Sequence, residues 1–123
     1  YQARIIKSLQ LVENNDIDYY FKKEDRSEFD LMTANKTADD ILIVKNGYIT
    51  DTSFSNIVFF DGEKWITPST YLLNGTQRQY LLQQKKIVQH EIKPEHLSLF
   101  EFAKPINAMI GLDNLSIIKD IHW

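Results

Sequence analysis

Ile41-Leu42-Ile43-Val44-Lys45-Asn46-Gly47-Tyr48-Ile49-Thr50 and, a few residues on, Asn56-Ile57-Val58-Phe59-Phe60-Asp61-Gly62-Glu63-Lys64-Trp65-Ile66-Thr67 are the stretches that decide the fold. Each is an apolar, β-branched or aromatic run, then a turn pair, then a returning run. Asn-Gly and Asp-Gly tolerate the positive φ that tight hairpin turns need, so both stretches read as β-hairpins. Thr67-Pro68 ends the second, because proline has no N–H to give a ladder. Between them lies the polar stretch Thr50-Asp51-Thr52-Ser53-Phe54-Ser55-Asn56. A polar segment between core strands reads equally as the lining of a site or as a plain surface loop.

Outward from these hairpins the pattern continues. A strand starts near Arg4 and runs through Val12, and Asn14-Asn15-Asp16 is turn chemistry. Ile17 to Lys22 is aromatic and reads as extended. Asp25 and Glu28 have the spacing of a capping box, which predicts a short helix to about Thr33. Asn74-Gly75-Thr76 opens a helix to about Lys86, with Tyr80, Leu81 and Leu82 as its apolar side. Ile87 to Ile92 alternates like a strand, and Pro94-Glu95-His96-Leu97 suggests one helical turn. Phe102 to Met109 and Leu115 to Ile118 read as the last strands. The sum is an α+β domain, mainly antiparallel hairpins with two inserted helices.

Composition narrows the function. The 123 residues carry a net charge of -3, which disfavours a binder of nucleic-acid backbones. The absence of cysteine excludes disulfides, zinc–cysteine sites and thiol nucleophiles. The 3 His have no metal-ligand spacing between them, so no metal site is expected. No apolar run approaches the ~20 residues that span a bilayer, and no signal-peptide pattern opens the chain; a cytoplasmic protein without membrane partners is the expectation. Tyr1 stands first, directly before a strand-like pattern. Residues 1–123 therefore read as part of a longer protein.

Some residues suit chemistry. Asn74-Gly75-Thr76-Gln77-Arg78 runs from a small-residue turn into a helix, whose first N–H groups and dipole suit a phosphate. The same residues also suit a capped helix and nothing more. Lys22 and Lys23 follow Tyr19-Tyr20-Phe21. A lysine desolvated among aromatics becomes nucleophilic; on a surface strand it is only a solvated charge. Asn35-Lys36-Thr37 and Asn74-Gly75-Thr76 match the glycosylation sequon, a tripeptide that often arises by chance. His90-Glu91 and Glu95-His96 are adjacent pairs whose side chains diverge, as surface positions do.

In order along the chain these signals combine. Lys22-x-x-Asp25-Arg26, the acidic pair Asp39-Asp40 before a strand, Asn46-Gly47-x-x-Thr50-Asp51 with Asn56, Thr67-Pro68, Leu73-x-Gly75-Thr76-x-Arg78 and Asn107-Ala108-Met109 together resemble the class IV aminotransferases. These are fold-type IV enzymes that use pyridoxal 5′-phosphate (PLP). The resemblance runs from about Ser8 to Met109 and looks strongest toward 4-amino-4-deoxychorismate lyase. D-amino-acid and branched-chain aminotransferases are the alternative, and a non-catalytic homologue acting as a binding or structural module is a further one.

The resemblance implies roles by position. Lys22 looks like the family's Schiff-base lysine; Lys23 has the wrong spacing. Asp51 stands where the family has a glutamate against the cofactor's pyridine nitrogen, one methylene shorter, with Asn56 completing that segment. Gly75 and Thr76 match the phosphate-binding helix start. Asn107 and Ala108 match a second phosphate loop, in the form seen in the lyase branch. The family's sites lie near a subunit interface, so a homodimer acting on a small amino-acid-like substrate is implied. Family members also have an N-terminal domain with a His-x-x-Arg segment that nothing here matches. The 123 residues are thus expected to be the C-terminal, cofactor-carrying domain.

Overall fold

A computed structural model describes residues 5–17, 33–34 and 36–123. Strand β1 (Ser8–Glu13) lies beside β2 (Asp40–Lys45), which turns into β3 (Tyr48–Thr52). The chain then passes to β4 (Asn56–Phe60) and β5 (Trp65–Pro68). Helix α1 (Thr76–Gln83) leads into β6 (Ile87–His90), followed by a 3₁₀ helix (Pro94–Leu99), β7 (Phe102–Ile106) and β8 (Asp120–His122). Two four-stranded sheets result, in the orders β3-β2-β1-β8 and β6-β5-β4-β7.

Both expected hairpins form. Asn46 and Gly47 take φ of 54° and 85°, and Lys45 pairs with Tyr48 around them. In the second, Phe60 pairs with Trp65 and Gly62 takes φ of 98°. Asp61 accepts the N–H groups of Lys64 and Glu63 there, which holds its carboxyl below its ordinary pKa. The remaining pairings are longer-range. β1 is parallel to both β2 and β8, and β5 is parallel to β6, so the sheets are mixed and not purely hairpin-built. β2, flanked on both sides, is buried on both faces, which is why its sequence is continuously apolar.

The sheets pack face to face. Leu9, Leu11, Leu42, Val44 and Ile49 of the first meet Ile57, Phe59, Ile66 and Ala103 of the second. The outer face of the second sheet, with Val58 and Ile106, is covered by Leu81 of α1. The chain crosses from one sheet to the other at Ser53–Ser55, and that crossing is where the candidate site is built.

Several expected boundaries move. Leu115 to Ile118 forms no full strand: Leu115 is 78% exposed, while Ser116 is buried and its Oγ accepts the N–H of Ile6 at 2.8 Å. Ile118 makes one bridge to Ala103, and the terminal strand is β8 instead. β7 stops at Ile106, and Met109 sits in a turn. On α1, Leu81 is buried and Leu82 packs beside it, but Tyr80, ~100° round the helix on the other side of Leu81, is 50% exposed. The helix expected from Asp25 and the extended run after Ile17 lie outside the described residues.

Candidate active site

Asp51 ends up beside Asn56 because the chain between them folds into a tight turn. Thr52 donates its N–H to Ser55 O at 3.0 Å, and the two hydroxyls hydrogen-bond at 2.6 Å. These side chains satisfy the backbone that a buried crossing would otherwise leave unpaired, which accounts for the polar stretch. Asn56 then becomes a hub. Its Nδ2 donates to Asp51 Oδ1 at 2.8 Å and to Leu73 O at 2.7 Å, while its Oδ1 accepts from Gly75 N at 3.3 Å. Asp51 Oδ2 accepts the N–H groups of Leu72 and Leu73 at 2.9 and 3.1 Å.

Asp51 is 5% exposed. Burial pushes its pKa up from 3.8 to about 6, against the lowering effects of Asn56, the two backbone donors and the Arg78 charge. The folded chain therefore binds this proton more tightly than the unfolded chain. Asp51 contributes stability that is fully present below about pH 4 and is lost as pH rises through about 6. The expected loss is about 3 kcal/mol between pH 4 and pH 7. Urea titrations of the ligand-free protein against Asp51→Asn across that range should show it as a converging difference; a pH-independent difference would contradict it.

Helix α1 begins here without a cap. Gly75 occupies the N-cap position, no side chain caps the helix and no acid lies in its first turn. The first-turn N–H groups and the positive end of the helix are thus left for solvent or an anion. A Cβ on Gly75 would meet Asn56 Oδ1 at 2.5 Å. Asn56 is held by its own hydrogen bonds and cannot swing away cheaply. Gly75→Ala is expected to cost about 1–3 kcal/mol and to disturb the Asn56–Asp51 contact, seen as a lower unfolding midpoint together with a shifted Asn56 side-chain amide resonance.

Across the cleft, Asn107 caps its own turn. Its Oδ1 accepts the N–H groups of Met109 and Ile110 at 2.8 and 3.1 Å, leaving Ala108 and Met109 at the tip. Because β7 pairs with β4, with Ile106 opposite Asn56, this turn is brought next to the hub. Asp51, Asn56, Gly75, Thr76, Asn107 and Ala108 all line one cleft of about 350 Å³, a size suited to a small molecule. Phe54, Leu72, Leu73 and Met109 give it apolar walls. Lys22 lies outside the described residues, as do Lys23, Asp25 and Arg26.

Sequence reasoning did not find the Leu72 and Leu73 backbone donors, nor Arg78 as a buried group behind the cleft. Backbone donors leave no mark on residue type. Elsewhere, His96 Nδ1 accepts the Lys93 N–H at 3.1 Å, and His90 and Glu91 are exposed. Among the described residues no cluster of three or more His, Cys, Asp or Glu could hold a metal, and no helix is long and apolar enough to cross a membrane.

The family model for class IV amino-transferases matches residues 2–114. The chain belongs to the class IV aminotransferase family. An uncharacterized protein of Haemophilus influenzae is 46% identical over 113 residues, which are 91% of this chain and 60% of that protein. A protein of Haemophilus somnus, provisionally named a 4-amino-4-deoxychorismate lyase, superposes with a TM-score of 0.85 at 41% identity, over 91% of this chain and 58% of its own. An aminotransferase from Brucella abortus, solved bound to the cofactor PLP, gives a TM-score of 0.68 at 15% identity, over 98% of this chain and 48% of its own. That last likeness shows the fold alone. The chain thus spans about 60% of the length of the two Haemophilus relatives. As a class IV aminotransferase domain it has the mixed-sheet α+β architecture of its neighbours.

Proposed function

We propose that this chain is the cofactor-holding part of a PLP-dependent enzyme that acts as a 4-amino-4-deoxychorismate lyase, releasing pyruvate and p-aminobenzoate. The observation that carries the reading is the meeting, in one cleft, of a buried acid and an uncapped helix start. Strong identity to the Haemophilus somnus protein supports the lyase branch over the aminotransferases. So does Asn107-Ala108, the turn form that the resemblance links to the lyase.

The residues present fit the cofactor. Its phosphate needs donors without full neutralisation, and the open first turn of α1 at Gly75 and Thr76 offers them. Position 75 has no side chain because the helix start sits against Asn56, whose Oδ1 a Cβ would meet. Its ring nitrogen needs an acid, and Asp51 supplies one whose pKa of about 6 suits the sharing of a proton near neutrality. Phe54, Leu72 and Leu73 offer apolar surface to a flat ring. When bound, PLP supplies an electron sink for charge developed at the substrate's α-carbon.

The chain's own groups do the rest. Lys22 would provide the amine that anchors the cofactor and would carry the proton to and from the α-carbon. Asp51 would hold a proton at the ring nitrogen. Asn56 fixes Asp51 Oδ1, and Leu72 and Leu73 fix Oδ2. Asn107 shapes the turn that would close the phosphate end.

The full-length protein supplied with PLP and aminodeoxychorismate is expected to release pyruvate. With a branched-chain or D-amino acid and a keto-acid acceptor it is expected to turn over far more slowly. The reverse order of rates would move the protein to the aminotransferase branch. The same reading implies a homodimer in the cytoplasm, to be checked by sedimentation of the purified protein and by cell fractionation.

A further inference from the structure

Arg78 is 2% exposed, yet no carboxylate lies within ion-pair distance of it among the described residues. Its guanidinium bonds only neutral partners. Nη1 donates to Asn74 Oδ1 at 2.8 Å; Nη2 donates to Gln89 Oε1 at 2.8 Å and to Pro68 O at 3.1 Å. The guanidinium carbon lies 4.4 Å from the centre of the Tyr71 ring, and Nε has no partner. Burying a charge without a counter-charge is costly, and only the hydrogen bonds it makes offset that cost.

These contacts bear on the loop Tyr71–Asn74. Arg78 grips both ends, Tyr71 by its ring and Asn74 by its side-chain oxygen. The two residues between are Leu72 and Leu73, whose N–H groups donate to Asp51 Oδ2. Gln89 and Pro68, on β6 and β5, anchor the guanidinium itself to the sheet. We infer that Arg78 is a positioning residue, a clasp that holds Leu72 and Leu73 against Asp51 without touching the ligand. This rests on the reading of Asp51 as the acid of the site. Among the described residues, Arg78 is the charged group that acts on Asp51, and Tyr71 is the other titratable group at this corner. A lysine would keep the charge but not the fork of donors.

The test is amide hydrogen exchange of the ligand-free, full-length protein, with the Asp51 carboxyl carbon followed by NMR. In Arg78→Lys and Arg78→Met the Leu72 and Leu73 amides are expected to exchange about tenfold faster or more, while Val58 and Leu42 in the core strands keep their protection. The Asp51 carboxyl resonance should shift in both. If neither variant folds, Asn74→Ala and Tyr71→Leu loosen one grip each and leave the buried charge in place; the same local acceleration is expected. Native exchange at Leu72 and Leu73 in folded Arg78→Lys would mean that only the charge matters, and would overturn the clasp. So would acceleration spread equally over the core. The readout needs no cofactor, so it stands or falls separately from PLP binding.

Discussion

Replacing Asp51 by Asn should lower turnover on the order of 10²–10³-fold while leaving the protein folded. The substitution conserves volume, and the amide oxygen can still accept from Leu72 and Leu73. Where Asp51 Oδ1 now accepts from Asn56 Nδ2, an amide nitrogen would face another donor. Asn56 would have to turn over and give up its bond to Leu73 O. Against that local loss stands the removal of a carboxyl whose ionised form is penalised by burial near neutral pH. The two effects oppose, so the unfolding midpoint at pH 7 should move by only a few degrees. Function has no such offset: an amide cannot hold a proton for a basic ring nitrogen. Steady-state turnover beside thermal unfolding checks this. Near-native turnover in a folded Asp51→Asn would remove Asp51 from the chemistry.

On the proposed reading Lys22→Ala should do more, lowering turnover by about 10⁴-fold or more, because one amine would both anchor the cofactor and move the proton. Lys23→Ala is the natural control, differing by one position in the same run, and should keep most activity. Added primary amines such as methylamine should restore part of the rate in Lys22→Ala, since they replace the proton carrier but not its placement. Equal losses in the two variants, or a larger loss in Lys23→Ala, would contradict the assignment.

The parts of the fold legible in the sequence are those set locally. Asn46-Gly47 and Asp61-Gly62 announce their turns because the backbone there needs positive φ. The uncapped helix start at Gly75 could be placed for a similar reason, a small residue where the backbone comes close to Asn56. Partner choice was less legible. An apolar run says that a strand is buried, not that β1 will lie parallel to β2 and β8. At the C-terminal end the pattern misled. Leu115 and Ile117 face outward, and Ser116 turns inward because its hydroxyl has the Ile6 N–H to satisfy.

The candidate site divides in the same way. Asp51, Asn56, Gly75, Thr76, Asn107 and Ala108 belong to separate motifs, and the fold brings all of them to one cleft. Their order along the chain is informative because each lies within two residues of an element's end, where one strand or helix gives way to the next. Arg78 was visible only as a letter of a motif. Its burial follows from the Asn74, Gln89 and Pro68 acceptors, which lie on three different segments and meet only after folding.

The most direct test of the central claim is chemical. The full-length protein is incubated with PLP, reduced with borohydride, digested, and its peptides are mapped by mass spectrometry. The account predicts one stable phosphopyridoxyl group on Lys22, with labelling weakened in Asp51→Asn and in Gly75→Ala. No retained label, or a label spread over surface lysines with Lys22 unmodified, would contradict it.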